Sequence, residues 1–117
     1  MHPPHPNVDQ ISLPLVLAAL GDQTRLAIVA ELARNGDGPV NCGHFLMFGS
    51  KTNISYHLAK LREAGVTRTE VSGVNRFTRL RRADLDRRFP GLLDSVVAGA
   101  PAPSPAAGNG EVGPVGD

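Results

Sequence analysis

Ser50-Lys51-Thr52-Asn53-Ile54-Ser55-Tyr56-His57-Leu58-Ala59-Lys60-Leu61-Arg62-Glu63-Ala64-Gly65 is the stretch whose reading decides the fold of this 117-residue chain. Ser50 is a good N-cap, Gly65 a good C′ stop, and no proline or glycine lies between them. At 100° per residue Ile54, Leu58 and Leu61 fall on one stripe. Thr52, Tyr56, Ala59 and Lys60 fall on the opposite face, with Asn53 beside them. That face is neutral to basic and rich in short hydrogen-bonding groups. A helix so divided, roughly 21 Å long, suits the DNA major groove, which is about 12 Å wide. Taken alone, the same pattern also describes an ordinary amphipathic surface helix.

The surrounding chain is read outward from this helix. Upstream, a helix starts near Asp9 or Ser12, with Pro14 in its first turn and an apolar stripe of Leu13, Val16, Leu17 and Leu20. Gly21 ends it, and Asp22 caps a second helix with Arg25, Glu31 and Arg34 outward and Leu26, Val29, Leu32 and Ala33 inward. Asn35-Gly36-Asp37-Gly38-Pro39 is a stop and turn. Residues 40–49 hold an apolar cluster of Phe45, Leu46, Met47 and Phe48 between glycines, expected to form one or two helical turns under the opening helix.

Downstream of Gly65 the period changes from 3.6 to 2. Residues 66–71 and 75–80 read as two strands around Ser72-Gly73-Val74, a hairpin from which Arg68, Arg76 and the turn project. The helical period returns at Arg82, is interrupted at Phe89-Pro90, and resumes through Leu92, Leu93, Val96 and Val97. Residues 1–8 read as a disordered arm, 9–98 as one domain, and 99–117, rich in Pro, Gly and Ala, as a disordered tail.

Composition narrows the class. Apolar residues make up 41% of the chain and aromatic residues 4%, so the core is aliphatic. No run of about 18 apolar residues exists, so no membrane span is expected. One cysteine excludes an internal disulfide and fits a reducing cytoplasm. The net charge of +1 is unevenly spread: residues 51–82 carry eight Lys/Arg against two acids, while the remainder is net negative. That block fits a polyanionic partner.

The order of these elements is that of a winged helix-turn-helix, mainly α with a β-hairpin wing. In that architecture the recognition helix reads base edges and the wing touches the adjacent backbone. The candidate DNA contacts are Lys51, Thr52, Asn53, Ser55, Tyr56, Lys60, Arg62, Arg68, Arg76 and Arg79. His57, at the border of the face, suits packing or a phosphate contact. The stripes Leu13/Val16/Leu17/Leu20 and Leu92/Leu93/Val96/Val97 exceed what one small core needs and suit a homodimer. A rival class is a winged-helix interaction module whose basic face binds an acidic protein. Ser55, His57 and the nearby acids form no catalytic triad, and there is no phosphate-cradling loop, so no enzyme is expected.

Leu20-Gly21-Asp22-Gln23-Thr24-Arg25-Leu26-Ala27-Ile28-Val29 resembles the LADPTRLRIL signature of the ArsR/SmtB family of bacterial winged-helix regulators. Residues 50–58 and 61–65 resemble that family's recognition helix, and Gly73 to Arg79 its wing. The resemblance implies a cytoplasmic homodimer, usually a repressor of transcription, joined through its first and last helices. Effectors in that family are often metal ions, while some members sense redox state or are constitutive. The controls this resemblance leaves open here are a metal, nickel or zinc, and a regulatory partner protein.

The family's ligand positions are poorly filled. On the last helix Asp84-Leu85-Asp86 lacks the expected histidine, and no histidine follows His57. Cys42-Gly43-His44 falls near the family's cysteine site and supplies a thiol and an imidazole. Asp9, or His2 and His5 of the arm, would have to complete such a site. His2 and His5 could also hold nickel with the terminal amine. No cofactor is required by this reading.

Overall fold

The computed structural model describes residues 3–101. A short 3-10 turn at Val8–Gln10 precedes α1 (Leu13–Leu20) and α2 (Gln23–Arg34). Then come β1 (Val40–Asn41), a 3-10 segment (Cys42–Phe48) and α3 (Lys51–Glu63). β2 (Thr67–Ser72), β3 (Asn75–Leu80), α4 (Arg82–Arg88) and α5 (Leu92–Gly99) follow. This is a mainly α winged helix-turn-helix, as the sequence predicts.

Local chemistry accounts for the boundaries. Ser12, Asp22 and Ser50 cap α1, α2 and α3, each side-chain oxygen accepting the backbone N–H three residues on, at 3.5, 2.9 and 3.1 Å. α1 and α2 meet at 98° across Gly21-Asp22. Pro90 interrupts the chain between α4 and α5. α3 ends where Gly65 takes φ +85, a conformation that disfavours any residue with a Cβ.

The sheet is antiparallel in the order β1-β3-β2. Ser72 pairs with Asn75, leaving Gly73-Val74 as a two-residue loop with positive φ at Gly73. β1 is an addition to the sequence reading: Val40 pairs with Thr78 and Asn41 with Phe77. Two residues are too few to carry a period-2 signal. The 3-10 segment packs against α2, α3 and β3, not under the opening helix. Its Phe45 and Phe48 enter a core that also holds Val16, Ile28, Val29, Leu32, Leu61, Val66, Leu85 and Leu93.

Three further expectations are corrected. Arg25 and Glu31 do not point outward: Glu31 is buried and Arg25 half-buried, each held by polar partners described below. Val16 and Leu93 are sealed in the core of the single chain, so they are not surface available to a partner; Leu20 is almost buried but still lines an open groove, and Leu13 and Leu17 remain exposed. Lastly, residues 3–8 are not a disordered arm. They run past the outer edge of β2, where His5 Nε2 accepts the Thr69 N–H at 2.9 Å. Arg81 Nη1 donates to Pro6 O at 2.7 Å and Arg88 Nη1 to Val8 O at 2.6 Å. The arm thereby covers part of an otherwise open strand edge. The proposed tail falls largely outside the described residues, as does His2. Among the described residues no single helix is long and apolar enough to cross a membrane.

Gly65 ties these parts together, because a Cβ there would stand 2.6 Å from Ile11 Cγ1. Gly73 has a similar φ but nothing within 4 Å of such an atom. Both alanine variants pay for the left-handed backbone, about 1–2 kcal/mol, and only Gly65→Ala adds a steric collision. Urea unfolding should therefore show a lower midpoint for Gly65→Ala than for Gly73→Ala, with unchanged slopes. Equal midpoints would contradict this packing.

Candidate nucleic-acid interface

α3 is bare on one side and anchored on the other. Ile54, Leu58 and Leu61 are buried as predicted, and His57 joins them at 8% exposure. Lys51, Thr52, Asn53, Ser55, Tyr56 and Lys60 are exposed. The Tyr56 ring meets His57 at 5.3 Å and carries Lys60 Nζ 5.5 Å above it, and it lines a cavity with Leu15, Ala18 and Ala19 of α1. The burial of His57 was legible, since it lies about 60° from Ile54 on a helical wheel, on the apolar side.

The hairpin divides its arginines between two faces. Paired residues of an antiparallel ladder share a face, so Val71/Arg76 and Thr69/Thr78 lie together, and Arg68/Arg79 and Glu70/Phe77 lie on the reverse. Arg76 shares a cleft of about 380 Å³ with Lys51, Ser55, Leu58, Arg62, Thr69 and Cys42. Three cations thus converge between α3 and the wing, with no carboxylate among the lining residues. Arg62 Nε is buried there without a hydrogen-bond partner. Arg68 and Arg79 face away from this cleft, and Arg79 is engaged by Glu70 at 3.5 Å. The structure therefore does not bring Arg68 and Arg79 to the surface that α3 presents.

The basic block of the sequence also contains structural charges. Arg81 is 6% exposed and binds Asp84 at 2.9 Å. Arg82 bridges Asp37 at 3.0 Å and Asp94 at 2.5 Å, and the Asp37 carboxylate raises its already high pKa. Arg82 fastens α4 to the turn after α2 and to α5, and Arg81 ties the start of α4 to the arm through Pro6 O. They are spoken for.

The ligand candidates fare less well. Cys42 is half-buried, and burial pushes its thiol up against the opposing charge of Arg76. His44 Nε2 is committed to Glu31 Oε2 at 2.6 Å. Among the described residues no three His, Cys, Asp or Glu side chains come together as a metal site. His5 is engaged at the edge of β2.

A polar contact missed by sequence reasoning, which placed Arg25 outward, lies behind α3. Arg25 Nη1 donates to His57 Nδ1 at 2.9 Å, and Arg25 Nε donates to Ala19 O at 2.6 Å. The signal was present, because Arg25 falls on the same helical stripe as Ile28, Val29 and Leu32.

Comparison with known proteins adds one relative. An uncharacterized HTH-type transcriptional regulator of Bacillus subtilis (strain 168), YceK, is 35% identical over 86 residues, covering 69% of this chain and 82% of that protein. No family model matches the chain.

Glu31 offers a test of the local electrostatics. The hydrogen bond from His44 holds its carboxyl below the ordinary value of 4.5, with Arg34 assisting and burial opposing. A depressed carboxylate stabilises the fold fully above its unfolded pKa, and that stabilisation is lost as pH falls through the folded value. His44→Ala should therefore shrink the stability lost below about pH 4.5, measured by urea unfolding across an acid series. An unchanged acid limb would show that His44 does not hold Glu31.

Proposed function

The chain belongs to the HTH-type transcriptional regulators, and we propose that it binds a palindromic operator as a winged-helix homodimer of the ArsR/SmtB kind. Its work is recognition of duplex DNA, with α3 in the major groove and the hairpin against the flanking backbone. One observation carries this reading: the bare polar face of α3 runs without interruption into the cationic cleft of Lys51, Arg62 and Arg76.

Within that surface Asn53 is the residue suited to a bidentate contact with adenine. Thr52, Ser55 and Tyr56 supply hydroxyls and an aromatic edge for neighbouring bases or phosphate, and Lys60 extends the cationic margin. Lys51, Arg62 and Arg76 neutralise phosphate. An effector metal would need ligands from outside residues 3–101 or from a second copy, given how Cys42, His44 and His5 are placed.

The dimer reading rests on unpartnered apolar surface. Leu13 and Leu17 are 40% and 50% exposed. Beside them a groove is lined by Leu17, Leu20, Leu26, Val96, Gly99 and Ala100, so α1 and α5 share one open apolar seam. Joining two copies there about a two-fold axis would present two α3 helices to half-sites ~34 Å apart.

Two sets of variants test these roles. Asn53→Ala should relax preference at one base position by ~1–3 kcal/mol, whereas Arg76→Ala should weaken all sequences alike and lower the salt slope by about one. Competition binding against single-base variants of a selected site, repeated across salt concentrations, separates the two. Binding insensitive to both changes would contradict the assignment. Leu17→Asp should turn a dimer into a monomer in analytical ultracentrifugation. A variant that sediments as the wild type does would move the interface elsewhere.

A further inference from the structure

Apolar burial sets which side of α3 meets the core but fixes the helix rotation only coarsely. The Ile54–Leu58–Leu61 stripe is attracted to the core without directional preference. Base readout, by contrast, tolerates only small errors of placement. A directional contact on the buried side of the helix is therefore needed, and one is present.

Arg25 supplies it. Its guanidinium spans three elements: Nε donates to Ala19 O in the last turn of α1, the side chain springs from the first turn of α2, and Nη1 donates to His57 Nδ1 in α3. The backbone N–H of Arg25 is itself fixed by the Asp22 cap. A guanidinium has donors only, so in this bond His57 accepts at Nδ1, which leaves the hydrogen of the neutral ring on Nε2. The Asp22 carboxylate that caps α2 stands 3.7 Å from the same Nδ1 and closes the corner around it. Next to His57 stands Tyr56, whose ring packs edge-on against the imidazole and holds Lys60 over its face. An unbroken line of contacts thus leads from the α1–α2 corner to two side chains of the bare face.

We infer that Arg25 and His57 are positioning residues for DNA recognition: they set the rotation of α3 and the stance of Tyr56 without touching the duplex. The inference rests on the DNA-reading role of α3 proposed above. It distinguishes Arg25 from the arginines of the cleft, which neutralise phosphate. Loss of a phosphate contact lowers the salt slope, whereas loss of a positioning contact lowers the preference for the right sequence and leaves that slope in place.

The test uses the full chain, a duplex selected from a random library, and a scrambled duplex. Arg25→Ala should weaken the selected duplex about tenfold, the scale of one lost charge-assisted hydrogen bond, while scrambled binding and the salt slope stay unchanged. His57→Leu should do the same, and the double variant should be no weaker than either single one. His57→Asn, whose amide oxygen can stand near the Nδ1 position, should retain most of the preference. A slope reduced by about one in Arg25→Ala would make it a phosphate contact, and additive losses would make the two residues independent; either overturns the inference. Should Arg25→Ala fail to fold, the His57 pair and NMR still decide it. The imidazole nitrogen shifts should show Nδ1 bare and Nε2 protonated, and the reverse tautomer would refute the bond. A wild-type chain with no preference for any duplex would overturn the DNA reading, while the tautomer would still report on Arg25 and His57.

Discussion

Burial of Ile54, Leu58 and Leu61 is the contact on which the other parts depend. It lets α3 leave its opposite face bare, and every neighbouring element helps to maintain it. Phe45 and Phe48 of the 3-10 segment join the same core from below. Val66 and Leu80 bring the root of the hairpin into it, so the wing leaves the core at a fixed place beside the helix. Gly65, closed over by Ile11, makes the turn from α3 into β2 tight enough for that geometry.

Polar contacts then add direction to what apolar packing leaves free. Arg82 reaches both Asp37 and Asp94, tying the turn after α2 to α4 and α5. Arg81 joins Asp84 to the arm at Pro6, and the arm returns to β2 through His5. Glu31 gathers Arg34 and His44, linking α2 to the 3-10 segment. These groups look alike in a charge count, yet the burial of Glu31 and Arg81 and the half-burial of Arg82 separate them from Lys51, Lys60 and Arg76, which face solvent. Charge placed at a joint is not charge offered to a ligand.

The legibility of the sequence follows from the same division. Elements with several residues in one period could be read: the Ser50 cap, the stripe of α3, the Gly73 hairpin and the break at Pro90 all stand where pattern predicts. β1 could not, because two residues have no period. The arm could not, because its anchors are partners distant in sequence: Thr69, Arg81 and Arg88. At the site, the outward face of α3 was readable from its spacing, whereas the separation of Arg76 from Arg68 and Arg79 needed the β2–β3 register. Arg25 lay in plain view on an apolar stripe, but its charge suggested the surface, and packing was only one of two roles open to His57.

The central claim is that the bare face of α3 is the surface that meets DNA. It is tested most directly by titrating isotope-labelled protein with the tightest-binding duplex recovered from a random library and mapping the backbone shifts. The account predicts that the largest changes fall on Thr52, Asn53, Ser55, Tyr56 and Lys60, with a second group at Arg76 and the hairpin loop. Changes concentrated on α5 or on the reverse face of the hairpin, with α3 unmoved, would contradict it.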